Sequence, residues 1–250
     1  RVDIAVDPID GTRLLANGMP NAISVVALSD RGTMFTCAEI AYMQKIAVGK
    51  EAADVIDIDL SPTDNLARIS RALKKRVEDL VVVILDRPRH DELIAEVREA
   101  GSRIKLIRDG DVAGAIMTAI PGTGVDVLIG IGGAPEAVVA AAALTCVGGA
   151  IQGRLWLRND EERAIVERDN IDITRKFATR DLVSGRNIFF SATGITDGEL
   201  LRGIHLTSTG ATTQTLVMRS ASGTVRRIDA EHRLEKLDQL RNLHHSQAKW

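Results

Sequence analysis

Leu80-Val81-Val82-Val83-Ile84-Leu85 runs directly into Asp86-Arg87-Pro88-Arg89-His90-Asp91. A continuous apolar, β-branched run without polar alternation reads as a strand buried on both faces, and such strands belong to sheets covered by helices. A helical pattern follows, with Leu93, Ile94 and Val97 as apolar positions and Gly101 as the stop. Residues 104–107 read as a second strand, ending in Asp109-Gly110-Asp111. A helix from about 112 to 120 then leads to a third strand over 125–129. This β-α-β-α-β order predicts a layered α/β sub-domain with mainly parallel strands. Ligands of such sheets bind beyond the carboxyl ends of the strands, where three polar or charged loops of this chain fall.

Upstream, Ser61-Pro62-Thr63-Asp64 has the composition of a helix start, with Ser61 as cap and Asp64 facing the positive end of the dipole. Leu66, Ile69, Leu73 and Val77 continue it at helical spacing. Residues 23–28 read as a strand, with 33–37 as its hairpin partner. Tyr42, the only Tyr, reads by itself as a packing residue beside Met43. Downstream, Gly130-Ile131-Gly132-Gly133-Ala134-Pro135-Glu136 opens an Ala-rich helix over 138–146. Its glycines permit close backbone approach, and a helix N-terminus favours an anion. Pro135 stands where the third glycine of a dinucleotide fingerprint would be. Glu136 taken alone is a dipole partner. Residues 159–179 read as a charged surface helix or loop, and 188–192, 215–218 and 224–228 as further strands. Thr196 or Asp197 is placed to cap a short helix, and His244-His245 lies in a charged, solvated tail.

The densest chemistry lies near the start, where a strand-like run over 2–6 meets Asp7-Pro8-Ile9-Asp10-Gly11-Thr12. Asp, Pro and Gly also make ordinary turns. Two carboxylates at a strand end, however, can face one hard divalent cation such as Mg²⁺ or Mn²⁺, with Thr12 orienting a bound water. Arg87 and Arg89 suit a phosphate grip, and Asp109 and Asp111 offer acceptors to sugar hydroxyls. Carboxylates and a distant basic clamp together fit a sugar bisphosphate.

Composition narrows the class. The chain has 250 residues, 45% hydrophobic and 26% charged, with a formal net charge of −2, as expected of a soluble protein with a sizeable core. Aromatic residues make up only 3%, which argues against stacking platforms for single-stranded nucleic acid. No apolar run reaches the ~20 residues of a bilayer span. Cys37 and Cys146 lack metal-ligand spacing and read as reduced thiols of a cytoplasmic protein.

The string from Asp7 to Thr12 resembles the metal signature of the lithium-sensitive phosphatase superfamily. With Tyr42-Met43, Arg87-Pro88-Arg89-His90, Asp109-Gly110-Asp111, Gly130 to Glu136 and Ala192-Thr193-Gly194-Ile195-Thr196, it resembles class II fructose-1,6-bisphosphatase over nearly the whole chain. The resemblance implies a cytoplasmic phosphoric monoester hydrolase of gluconeogenesis. It would remove the 1-phosphate of fructose 1,6-bisphosphate with Mn²⁺ or Mg²⁺, as a homo-oligomer without nucleic-acid or membrane partners. It implies a layered α-β-α-β-α sandwich of the sugar phosphatase type with two packed sub-domains. These divide as 1–60 (metal-binding remainder), 61–150 (substrate loops), 151–230 (completing strands and helices) and a tail over 231–250. Carried over residue by residue, Asp7, Asp10 and Glu136 become metal ligands, and Asp7, Asp10 and Thr12 the catalytic set. Tyr42, Arg87 and Arg89 become the holders of the unreacting phosphate. Asp10, Gly11, Thr12, Pro88, Asp109, Gly110, Asp111 and Gly133 become further substrate contacts.

Asp10 stands where some members have Glu. Two further acidic ligands of the family lie upstream, one within a Gly-Glu-Gly-Glu element, and would precede Arg1. The chain opens inside a strand, so an absent N-terminal segment is expected, with the 250 residues alone poor in metal binding and activity. A Trp-Asp element expected of inositol monophosphatases is missing before Glu136, which disfavours that branch of the superfamily. A dual fructose and sedoheptulose bisphosphatase and a non-catalytic sugar-phosphate-binding module both stay open.

Overall fold

The apolar run at 80–85 forms strand β4 (Val81–Leu85), all but its first residue buried, with parallel neighbours on both sides. The computed structural model describes residues 1–36 and 39–236. Helix α3 (Asp91–Glu99) links β4 to β5 (Arg103–Ile107), and α4 (Asp111–Met117) leads on to β6 (Val127–Gly133). The resulting sheet is mixed, not mainly parallel. β3 (Tyr42–Val48) lies antiparallel between β6 and β7 (Ala150–Trp156), and β8 (Phe177–Ala178) closes the edge, giving the order β5-β4-β6-β3-β7-β8. An antiparallel β3 has a consequence for the site. Its first residue, Tyr42, pairs with Gly133 and so shares an edge with the carboxyl end of β6.

A separate six-stranded sheet comes from the two ends of the described chain. β1 (Val2–Asp10) pairs with β2 (Ile23–Asp30), which pairs in turn with β9 (Phe189–Gly194). β11 (Gly210–Arg219) lies beyond β9 and carries both β10 (His205–Leu206) and β12 (Thr224–Arg233). Because β1 and β9 flank β2, the hairpin expected at 33–37 does not form among the described residues. The Thr33 and Met34 N–H groups donate instead to Asp3 Oδ2, and Met34 bridges to Val183. Cys37 lies outside the described residues.

Between the sheets runs α5 (Ala134–Val147), in contact with β1, β2 and β9 on one side and with β3, β6 and β7 on the other. Ala137, Ala140, Ala141, Ala142, Ala143 and Leu144 are all at most 2% exposed. A helix apolar all round is one buried all round, and its small side chains let two sheets approach it closely. Helix α4 and the short α7 (Thr179–Leu182) share this layer with α5. The outer face of the mixed sheet is covered by α3 and α2 (Pro62–Leu73), whose Ile94, Val97, Leu66 and Ile69 pack on Val82, Ile84 and Val127. Ser61 caps α2 as expected, its Oγ accepting from the Asp64 N–H at 3.0 Å. The described layers thus run β-α-β-α, an α/β sandwich of two packed sub-domains.

One local expectation changes. No helix follows Thr196 and Asp197, because their side chains tie strands together instead: Thr196 Oγ1 accepts from the Ala22 N–H and Asp197 Oδ1 from the Gly203 N–H, each at 2.9 Å. The charged stretch after 159 contains α6 (Asp160–Asp169), capped by Asn159. Cys146 is a free, buried thiol, pushed up to about 12 by burial. The His244-His245 pair lies outside the described residues.

Candidate active site

Residues three apart on a regular strand point to opposite faces, because the side-chain period is two. The β1–β2 register shifts between Asp7 and Asp10, a bulge-type irregularity that re-aims side chains. Gly11 then turns the chain at φ 91°, a conformation that favours glycine, and Thr12 begins the short helix α1 (Thr12–Ala16). The shift brings Asp7 and Asp10 to one place, and Glu136 joins them from the first turn of α5. Carboxylate oxygens of the three all lie within 4.8 Å of one another. Glu136 also caps its own helix, Oε2 accepting from the Gly133 N–H at 2.6 Å. The dipole-partner reading and the ligand reading therefore hold for one side chain.

This acidic corner is electrostatically loaded. Asp10 is 2% exposed, and burial first, then the negative charges of Asp111, Glu136 and Asp7, push its carboxyl well above the ordinary range. The Ala113 N–H, which donates to Asp10 Oδ2 at 3.1 Å, opposes that only in part. Burial and the neighbouring Asp111 likewise push Glu136 up to about 7, against the pull of Lys45. Carboxylates crowded in this way, with oxygen donors and no thiol, are suited to a hard divalent cation.

A cleft of about 670 Å³ opens from this corner, lined by Asp7, Thr12, Tyr42, Arg87, Arg89, Asp109, Asp111, Gly133 and Glu136. Arg13 joins them, having drawn no attention in the sequence. Its N–H donates to Asp109 Oδ2 at 3.1 Å, which ties the turn after β1 to the loop after β5. Asp10, Gly11 and Gly110, expected to contact substrate, are not among the residues that line the cleft. Gly110 caps α4 in the left-handed region at φ 81°, with Leu14, the Asn21 carbonyl and Asp10 Oδ2 nearest to where its side chain would be. Pro88 opens a short 3-10 turn over Pro88–His90.

The basic residues of the cleft are held by backbone ties. Arg89 donates to the Ile131 carbonyl from Nη2 at 2.7 Å and Nε at 3.3 Å, and its guanidinium lies 5.2 Å from the Tyr42 ring centroid. Arg158 lies 5.3 Å from the same centroid. Arg87 Nη2 is 3.9 Å from Asp109 Oδ1. His90 holds this arrangement from below: the Ile131 N–H donates to Nε2 at 2.7 Å, so the ring carries its proton on Nδ1, 2.7 Å from the Leu85 carbonyl.

Sequence reasoning missed Lys45 and assigned nothing to His90 or Arg158. Lys45 could have been found, because in the strand that begins at Tyr42 it alternates with the apolar Met43 and Ala47. A lysine on a core-facing position demands a buried partner. Two expectations change meaning. Gly130 to Gly133 is the end of β6, held in its ladder with β3, and not a free loop. The string from Ala192 to Thr196 braces β2 and does not line the cleft. A neighbouring cavity of about 620 Å³, lined by Met34, Phe35, Pro135 and Val138 among others, has Asp3 and Arg31 as its charged residues. They pair with each other at 3.2 Å.

The family model for bacterial fructose-1,6-bisphosphatase, glpX-encoded, matches residues 1–232. A fructose-1,6-bisphosphatase 1 class 2 of Escherichia coli strain K12 is 43% identical over 256 aligned residues, covering 97% of this chain and 76% of that protein. A fructose-1,6-bisphosphatase class 2 of Shigella flexneri matches with the same identity and the same coverage, 43%, 97% and 76%.

Proposed function

The chain belongs to the bacterial fructose-1,6-bisphosphatase family, class II, and from that membership we propose how its cleft hydrolyses fructose 1,6-bisphosphate to fructose 6-phosphate and phosphate. The observation that carries the proposal is that a carboxylate cluster and the guanidiniums of Arg87 and Arg89 meet at one cleft. A sugar carrying two phosphates matches that combination, provided a cation neutralises the carboxylates.

The donor set fits such a cation. Asp7, Asp10 and Glu136 offer oxygens within 4.8 Å of one another, and burial and the repulsion of neighbouring carboxylates, which together raise Asp10, are what a cation among them would offset. Mg²⁺ or Mn²⁺ held there would supply Lewis acidity and charge neutralisation. Thr12, on the cleft wall beside this corner, orients the attacking water through its hydroxyl. The guanidiniums of Arg87 and Arg89 and the side chain of Tyr42 hold the 6-phosphate, with Pro88 fixing the turn between the two arginines. Asp109 and Asp111, with the backbone of Gly110 and Gly133, meet the sugar hydroxyls, and Asp10 and Gly11 shape the floor beneath the reacting phosphate. Positioning and charge neutralisation account for most of the catalysis in phosphoryl transfer, and these residues supply both.

On this reading the stretch 1–60 contributes the first carboxylates and Tyr42, 61–150 the substrate loops, and 151–230 strands that complete both sheets; the tail expected from 231 starts later, because β12 runs on to Arg233. A cytoplasmic location and a homo-oligomeric state belong to the same proposal. Among the described residues no helix is long and apolar enough to cross a membrane.

Phosphate release from fructose 1,6-bisphosphate with Mg²⁺ and with Mn²⁺ tests the proposal, with Asp10→Ala as control. Release at least ~100-fold above the control is expected for a residue in the reacting corner. Release no greater than the control overturns it.

A further inference from the structure

Lys45 is 3% exposed on β3, in the mixed sheet. Nζ is 2.7 Å from Asp111 Oδ2, donates to the Gly133 carbonyl at 3.1 Å, and is 3.9 Å from Glu136 Oε2. The chain leaves room for this. A side chain at Gly132 would place its Cβ 1.9 Å from Asp111 Oδ2 and 2.9 Å from Lys45 Cε and Nζ, so the pair passes directly over a glycine. Asp111 Oδ2 is buried and accepts no aligned hydrogen bond, which leaves the ammonium as the group that offsets its charge. Lys45 itself is not among the cleft-lining residues; it stands behind Asp111, Gly132 and Gly133, which are.

We propose that Lys45 is a positioning residue for substrate binding: from behind the cleft wall it fixes the Asp111 carboxylate and ties the loop after β5 to the Gly133–Glu136 turn. The proposal rests on the bisphosphatase reading, since it gives Asp111 a sugar hydroxyl to meet. A buried carboxylate without its counter-charge must either turn to water or take up a proton, and in both cases it leaves the geometry that faces the sugar. Lys45 does not touch the reacting phosphate, so its removal acts through Asp111 and not through a transition-state contact of its own.

A double-mutant cycle in the full-length protein tests this, using Lys45→Met, Asp111→Asn and the double variant. Lys45→Met keeps the buried stem and deletes the charge. It is expected to raise KM for fructose 1,6-bisphosphate by ~10- to 100-fold, the range for partners that orient a site residue, with a smaller change in kcat. Asp111→Asn is expected to do the same, and the double variant to be no worse than the poorer single variant. Multiplying effects, or a loss in kcat alone, would overturn the proposal. If Lys45→Met fails to fold, the double variant, which strands no charge at position 111, is expected to fold and to match Asp111→Asn in KM; a larger loss overturns the proposal. Calorimetric binding of fructose 6-phosphate reads the same coupling without turnover. An inactive wild type therefore counts against the bisphosphatase reading while the coupling is still measured.

Discussion

Replacing Arg89 by alanine separates the two ends of the cleft, because its side chain serves the fold and the substrate through different atoms. In the free protein Arg89 makes two hydrogen bonds to the Ile131 carbonyl and stacks 5.2 Å from the Tyr42 ring centroid. These contacts exist before substrate arrives, so their loss lowers the melting temperature and leaves KM untouched. Tyr42 keeps a second cation, Arg158, 5.3 Å from its centroid and Trp156 at 6.2 Å, so the ring has reason to stay in place. What KM reports is one charge-assisted bond to phosphate, worth about 1.5–3 kcal/mol. At 1.36 kcal/mol per decade that is roughly a 10- to 150-fold increase. A bond to the phosphate that does not react is equally strong in ground and transition states, so kcat should stay within about threefold of wild type. Arg89→Lys keeps the charge and loses the fork, and should recover part of the KM but none of the two-point tie to Ile131. Steady-state phosphate release over a substrate range, with a melting curve for each variant, is the assay. A fall in kcat at unchanged KM would contradict the holding role of Arg89, as would a lysine variant no better than alanine.

Two further predictions follow from the buried charges. Asp10→Asn removes a carboxylate whose ionised form is disfavoured by burial and by Asp111, Glu136 and Asp7. Without added metal the variant should therefore melt higher than wild type at neutral pH. It should also lose the rise in melting temperature that Mg²⁺ or Mn²⁺ gives wild type, and a rise of equal size in both would argue against Asp10 as a ligand. His90 is held below its ordinary range chiefly by burial, against the upward pull of the Leu85 carbonyl. A histidine lowered by folding stabilises fully above its unfolded value of about 6.5 and loses that contribution as pH falls towards the folded value. Denaturant midpoints measured from pH 8 to pH 5 should thus fall less steeply for His90→Gln than for wild type, and parallel curves would exclude the contribution.

Much of this was legible because it is local. The buried run at 80–85, the helix cap at Ser61 and the Ala-rich helix after Gly133 each follow from a few adjacent residues, and each lies where expected. The pairing of Asp7 with Asp10 is expected from a single short string at a strand end, and the two carboxylates do lie together, with Glu136 beside them. What the sequence did not convey is pairing across long separations. Nothing in residues 42–48 says that they lie antiparallel between β6 and β7, yet that placement puts Tyr42 at the basic end and Lys45 behind Asp111. Nor does the glycine run at 130–133 announce a strand, since glycine disfavours one and only the ladder to β3 holds it extended. The hairpin expected at 33–37 does not form among the described residues because β2 is already flanked, by the preceding β1 on one side and by the remote β9 on the other.

The site is therefore a property of the packing between sheets more than of any one string. Asp7 and Asp10 belong to β1, at the edge of the first sheet, whereas Glu136 opens the helix that follows the central region of the second. Their mutual distance is set by α5, which is in contact with both sheets. Interiors are packed to crystal-like density, so a helix of buried alanines fixes that spacing tightly, with little void to absorb a change. A regular β1 would turn Asp7 and Asp10 to opposite faces, and the register shift is what allows a single strand to supply both. The acidic corner thus needs a local irregularity in one sheet and close approach of the other. The basic end needs neither: Arg87, Arg89 and Tyr42 all sit on one edge of the second sheet. Perturbing the packing of α5 should consequently disturb the reacting end of the cleft before the holding end, which is the order in which metal binding and 6-phosphate binding would fail.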